Sequence, residues 1–415
     1  MSNPASQIVA ALPSDLKLSN RMQILEIFKT GGTYTANHIA EQIGVSRQTV
    51  MKAIQFFIRK GLIVSTGKAE STNVGGKRPE LFSLSPHKYL LCVSLWPDSL
   101  HITLLNFLFE TVDSLSLRQA LPSDAETAVQ TIGRISCDLL QHNHIALEQL
   151  CGVSVSTSGI VDYRTNTLKY NSLSPDWGRN IPLAELLRPY FAAGTPILVE
   201  NVAKVTGRAI LHEPELRNKR VLVVFSSWGG VCACFIEKDR ILNGKDSLIG
   251  EIGHMVLVPE DEEQCGCGSH GCFERLVSNE RLRQTVTRTL ASHPDSLLNS
   301  LSIPDLTVET LFSVCGHGDA YAQKLVSQLA QYFAMALRNI TLSFDPDLVV
   351  FQGEYAAADE FFCRQFHRCL SEFQYYPDGG PFQLQLDRRP IQELDIRGAY
   401  TLLLDHFFSD SALYQ

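Results

Sequence analysis

His254, Cys265, Cys267 and Cys272 bring one imidazole and three thiols into fewer than twenty residues. A zinc ion takes four tetrahedral nitrogen and sulfur ligands, and three cysteines with one histidine close its shell, leaving no position for a reactive water. The pattern predicts a structural zinc site. Gly266, Gly268 and Gly271 stand between and beside the cysteines and let the backbone turn tightly enough for the thiols to converge, while His254 arrives from the preceding Glu251-Ile252-Gly253-His254. His270, inside the same loop, offers a competing nitrogen for the place of His254.

The elements that must position this cluster lie in a long chain. At 415 residues, with 45% hydrophobic and 9% aromatic residues, it exceeds a single core and predicts two or three domains. The net charge of −8 is unevenly spread: residues 1 to 90 hold 11 Lys/Arg against 5 Asp/Glu, and the remainder is strongly acidic. The front is therefore the expected binder of a polyanion. Eleven cysteines, odd in number and mostly set in apolar runs, fit buried thiols in a reducing compartment, and the chain is read as cytoplasmic. No apolar run reaches the eighteen or so residues of a membrane span, so no membrane insertion is expected.

In the basic front, Leu18, Met22, Leu25 and Phe28 recur at helical spacing before Gly31-Gly32. Thr35 is suited to cap a second short helix with Ile39, Ala40 and Ile43 inward. Ser46 caps a third, with Val50, Ile54 and Phe57 inward and Ser46, Arg47, Gln48, Thr49 and Lys52 outward at its start. That is a helix-turn-helix, whose second helix presents its early residues to base edges in the major groove. Two short strand runs follow, Leu62 to Ser65 and Glu80 to Leu84, joined by a loop ending in Gly75-Gly76-Lys77-Arg78-Pro79. They form a wing whose cations, Lys77 and Arg78, are placed to meet phosphates or a narrow minor groove.

From Tyr89 onward strands alternate with helices of ten residues or more, which predicts two α/β lobes. Strand runs are expected at Tyr89 to Ser94, His101 to Phe107, Cys151 to Ser156, Leu198 to Glu200, Arg220 to Phe225 and Leu348 to Phe351, with helices from Asp124 to about His142 and from about Ala320 to Leu342. The expected division is 1–84 for the winged helix-turn-helix, 85–199 for a first lobe completed by a C-terminal helix at about 391–408, and 200–390 for a second lobe carrying the cysteine motif.

Glu251-x-Gly-His254 with Cys265-x-Cys267-x₄-Cys272-x-Glu274, behind a winged helix with Gly-Gly-Lys-Arg-Pro, resembles the ROK family of repressors and sugar kinases, specifically its regulators of the NagC, Mlc and XylR type. The resemblance covers nearly the whole chain. It implies a two-lobed actin-like ATPase fold and a cleft for a small carbohydrate or sugar phosphate. It also implies a homodimer or homotetramer that sets two winged helices on palindromic operator DNA. Carried over position by position, the sugar hydroxyls are expected to meet Asn201, Glu251, His254 and Glu274, and Asn171 and Trp177 are expected on the opposite side of the cleft. Each carboxylate can accept two hydroxyl hydrogens, and His254 can offer one ring nitrogen to the ligand while the other holds the metal.

The departures decide between enzyme and regulator. Where the family's kinases place the Asp that takes the proton from the attacking hydroxyl, this chain has Val202, which accepts no proton. Ser94-Leu95-Trp96-Pro97-Asp98 stands in place of the phosphate-cradling Asp-x-Gly-Gly-Thr, Trp228 adds bulk to Ser226-Ser227-Trp228-Gly229-Gly230, and Gln352-Gly353-Glu354 replaces a triple glycine. The expectation is a repressor with no enzymatic activity. Its alternatives are a sugar kinase fused to a DNA-binding unit and a regulator responding to zinc or thiol oxidation.

Overall fold

The structure, a computed structural model, describes residues 13–29, 31–69, 78–118, 122, 124–373 and 382–415. Its first unit is α1 (Pro13–Lys29), β1 (Tyr34–Thr35), α2 (Ala36–Ile43), α3 (Arg47–Arg59), β2 (Ile63–Lys68) and β3 (Glu80–Leu84). The boundaries follow from local chemistry. The Thr35 hydroxyl accepts the His38 N–H and the Ser46 hydroxyl accepts the Thr49 N–H, each satisfying an orphan donor of a first turn. Gly44 closes α2 at φ 70, in the left-handed region where a side chain is unfavourable. Strands β2 and β3 pair antiparallel and β1 joins β3, the three-stranded sheet of a winged helix.

The first lobe comprises β4 (Tyr89–Trp96), β5 (Ser99–Asn106), β6 (Thr111–Leu117), α4 (Ala125–His142), β7 (Leu150–Thr157), β8 (Ile160–Asp162), β9 (Thr167–Tyr170), β10 (Arg179–Ile181), α5 (Leu183–Leu187) and β11 (Ile197–Asn201). The second begins at α6 (Val202–Arg208) and continues through β12 (Val221–Ser227), β13 (Gly230–Glu237), β14 (Arg240–Ile241), α7 (Phe273–Leu276), α8 (Asn279–Thr289), α9 (Val308–Gly316), α10 (Ala320–Phe344), β15 (Leu348–Gly353), α11 (Glu360–Ser371) and β16 (Gln383–Leu386). The main sheets run β6-β5-β4-β7-β11 and β14-β13-β12-β15-β16. In each, an antiparallel meander continues into two parallel strands, so the lobes share one order. Buried Val93, Val155 and Ile132 centre the first core, and Phe333, Phe351 and Phe362 the second.

The last helix, α12 (Ile391–Ser409), ties the units together. It packs against β4, β7 and α6, and Gly398 is required at the crossing because a Cβ there would stand 1.8 Å from the Val205 carbonyl oxygen. Its other face shares a core with the winged helix: Phe28 and Phe57 are buried in one cluster with Leu403, Phe408 and Tyr414. Burying each such side chain contributes about 1.5–3 kcal/mol, so the winged-helix unit is docked on the lobes and not merely tethered.

Three expectations need correction. Met22 is 46% exposed, because the inner stripe of α1 is Arg21, Ile24, Leu25 and Phe28. Arg21 occupies that stripe by stacking its guanidinium on the Phe56 ring, 3.4 Å from the centroid, and donating to the Tyr414 carbonyl. Trp177 belongs to the first lobe's core and donates its indole N–H to the Pro122 carbonyl at 2.9 Å, so it does not line the cleft. The boundary expected between Val199 and Glu200 falls inside β11, whose pairing with β7 runs to Asn201.

Candidate functional site

The cysteine loop folds by its own short-range bonds. Cys265 N–H donates to Ser269 O and Gly268 N–H to Cys265 O, both at 2.8 Å, and Val256 bridges Cys272. Gly271 has φ 64, and a Cβ there would lie 1.7 Å from the Val258 carbonyl oxygen. This close approach brings the donor atoms of His254, Cys265, Cys267 and Cys272 within 4.8 Å of one another. His254 Nδ1 lies 3.6 Å from Cys265 Sγ, and Cys267 Sγ lies 3.6 Å from Cys272 Sγ. Tetrahedral zinc with bonds of about 2.3 Å to sulfur sets its ligand atoms about 3.8 Å apart, so the set fits such an ion. His270 is outside the group, with Nδ1 against the Asp261 carbonyl at 3.0 Å. Burial pushes the Cys272 thiol up to about 11; for Cys267 burial acts the same way, but hydrogen bonds from Ser269 outweigh it and draw the thiol down to about 7.

Beside the cluster a cavity of about 430 Å³ opens between the lobes, lined among others by Asn201, Val202, Glu251, His254 and Glu274. Asn201 is the N-cap of α6: its carbonyl accepts the Ala203 N–H at 2.9 Å and its amide donates to the Gly159 carbonyl at 2.7 Å. Those bonds fix its face toward the cleft. His254 Nε2 lies 3.9 Å from Glu251 Oε2, while Nδ1 lies 3.3 Å from Glu274 Oε1. One imidazole edge thus faces Glu251 and the other faces the thiols. Burial holds the Glu251 carboxyl above its ordinary range, with His254 offsetting part of that rise. Asn171 is buried one layer behind the wall, donating to Ser158 Oγ at 3.0 Å, and its neighbours Ser172 and Leu173 line the cavity in its place.

Opposite the carboxylates the floor is apolar, because Val202 is buried with Ala203 and Phe225. Trp96 of the first lobe and Trp228 of the second meet with ring centroids 5.2 Å apart. Below them the hydroxyls of Ser94 and Ser156 both donate to Asp395 at the start of α12. The sequence reading missed Asp395, and it also missed Arg275, Asn279 and Arg283, which line the cavity. The available signal for these three was their four-residue repeat following Glu274.

On the winged helix, Arg47, Gln48 and Lys52 are exposed at the start of α3. Ser46 and Thr49 are partly committed to the cap, their hydroxyls lying 2.9 Å apart. Arg78 is exposed just before β3, whereas Gly75, Gly76 and Lys77 lie outside the described residues.

Residues 98–404 match the ROK family and residues 20–69 match an HTH domain. The DNA-binding transcriptional dual regulator NagC of Escherichia coli (strain K12) is 23% identical over 361 residues, covering 86% of this chain and 85% of that protein. A solved ROK family transcriptional regulator, described as a homolog of the E. coli MLC protein, superposes with a TM-score of 0.77 at 18% identity, covering 96% of this chain and 98% of that one. A ROK family glucokinase from Streptomyces griseus, solved with glucose and AMPPNP, gives a TM-score of 0.61 at 20% identity over 76% of this chain and 98% of its own. A winged helix ahead of two lobes of one strand order, with the cysteine loop on the cleft wall, places this chain in the ROK family.

Proposed function

We propose that this protein is a transcriptional repressor whose winged helix binds operator DNA and whose cleft binds a small carbohydrate or sugar phosphate that changes operator affinity. One observation carries the reading: α12 packs against α6, whose cap Asn201 lines the cleft, and its other face shares a core with the winged helix. A ligand that alters how α6 and α12 sit against each other therefore acts on the DNA-binding unit through packed side chains. Its leverage is limited to the difference in its affinity for the two arrangements, typically about 1–3 kcal/mol.

In this reading His254, Cys265, Cys267 and Cys272 hold zinc, which supplies a rigid anchor for the loop. The loop then fixes His254, with Glu251 and Glu274 beside it, as hydroxyl-binding groups. Asn201 completes the wall. No phosphoryl transfer is expected of it, because Val202 offers no base and the Trp96 and Trp228 rings meet across the gap between the lobes. The protein works in the cytoplasm as a homodimer or homotetramer, with Arg47, Gln48, Lys52 and Arg78 toward DNA.

The test is a gel shift on the gene's own upstream region with and without sugars, run beside an ATP-dependent phosphorylation assay on the same sugars. Sugar-dependent release without phosphorylation is the expected result. Turnover of any hexose would favour the kinase alternative.

A further inference from the structure

The cleft is also lined by the hairpin turn between β12 and β13, where Trp228 (φ 52) and Gly229 (φ 79) are both left-handed. Backbone N–H groups gathered in such turns form anion-binding nests. In this chain the segment after β15 is clamped onto that turn. Gly353 pairs with Ser226, and it must be glycine because its φ is 78 and a Cβ would lie 2.1 Å from the Ser226 carbonyl oxygen. Tyr355 N–H donates to Ser226 Oγ at 3.1 Å, which fixes the intervening Glu354. The Glu354 carboxylate accepts the Asn279 side-chain amide at 3.1 Å; burial raises this carboxyl, and the nearby Trp228 backbone N–H acts the other way, favouring its charged form.

Of the cations nearby one is neutralised by carboxylates and one is only anchored to a backbone carbonyl. Arg275 is paired with Glu263 and Glu280, and Arg283 donates its Nε–H to the Leu306 carbonyl at 3.0 Å. Glu251 and Glu274 add negative charge to the same cavity. A phosphoryl group on a sugar held by Asn201, Glu251 and His254, directed at the turn, would approach a fixed carboxylate just behind Asn279 and Trp228. Like charges close together in a partly dry cleft repel.

We propose that Glu354 is a tethered anion, held by Asn279 beside the Trp228–Gly229 turn, and that it makes the cleft select an uncharged carbohydrate over its phosphate ester. This rests on the carbohydrate-effector reading above and narrows it to neutral sugars.

The experiment is calorimetric titration of the full-length protein with glucose, N-acetylglucosamine, N-acetylmannosamine and the 6-phosphate of each, and separately with inorganic tripolyphosphate, for wild type, Glu354→Gln and Glu354→Ala. The wild type is expected to bind at least one neutral sugar tenfold or more tighter than its 6-phosphate. In Glu354→Gln that ratio should fall at least fivefold, and tripolyphosphate should bind at least tenfold tighter than to wild type. A wild type that binds a 6-phosphate as well as its parent sugar overturns the proposal, whether or not the variants fold. So does a folded Glu354→Gln with unchanged ratio and unchanged tripolyphosphate affinity. If no sugar binds while the variant still gains tripolyphosphate affinity, the carbohydrate reading fails and the assignment of Glu354 stands.

Discussion

The Lys29 ammonium, at the end of the first helix of the winged unit, lies 2.7 Å from an Asp405 carboxylate oxygen on α12. The same carboxylate receives Arg208 from the end of α6 at 3.2 Å, so one acidic side chain joins the DNA-binding unit to the helix whose N-cap faces the cleft. Lys29→Gln is expected to reduce sugar-dependent release of DNA several-fold while leaving zinc content and sugar affinity near wild type. Operator titrations with and without sugar, for Lys29→Gln, Asp405→Asn and the double variant, measure the coupling. Fully additive effects would remove Asp405 from the route.

Acid should weaken the same junction. Burial raises the Asp405 carboxyl, but His212, 3.7 Å away, and the Lys29 ammonium outweigh it and bring it down to about 2. A depressed carboxylate stabilises the fold above its unfolded value of about 3.9, and this stability is lost as pH falls from about 4 through about 2. For Asp405 that is about 2 kcal/mol. Acid unfolding of Asp405→Asn should therefore be flatter in this window.

Asp395 predicts the opposite slope. Burial pushes its carboxyl up to about 6 although Ser156 and Ser94 hydrogen bonds offset part of the rise. The folded state then holds the proton more tightly than the unfolded one, so stability falls as pH rises from about 4 through about 6. Urea melts between pH 4 and 8 should show this loss, about 2–3 kcal/mol in all, and Asp395→Asn should abolish most of it.

Removing metal should act on fold and cleft together. Cys265→Ser, or prolonged chelation, is expected to abolish bound zinc by atomic absorption, lower the unfolding temperature by several degrees and weaken sugar binding tenfold or more. Retention of full sugar affinity by the metal-free protein would separate the loop from the effector site.

Restoring the base alone should not restore a kinase. Val202→Asp places a carboxylate where the side chain is 2% exposed beside Phe225, and leaving it unpaired there costs about 1–3 kcal/mol or more. No phosphoryl transfer is expected in coupled assays, since Trp96 and Trp228 still meet across the gap. On the DNA side, Arg47→Ala and Arg78→Ala should each weaken operator binding and make its salt dependence shallower, by about 0.9 in slope for each phosphate no longer neutralised.

What the sequence determined was what short segments encode. Thr35 and Ser46 act on amides three residues away, the core positions Val50, Ile54 and Phe57 follow the helical period, and the thiols of Cys265, Cys267 and Cys272 converge through turns that glycines permit. The alternation of strands and helices was enough for the lobed architecture, and the Glu-x-Gly-His and cysteine spacings for the family. Tertiary structure alone decided which distant side chains meet: Asp395 with Ser94 and Ser156, Trp96 with Trp228, Glu354 with Asn279, and Lys29 with Asp405. These pairs come from strand register and helix crossing angles that place residues far apart in the chain on facing surfaces. A local pattern carries no record of such distances, and so Met22 and Trp177, apolar in plausible places, were assigned to the wrong surfaces.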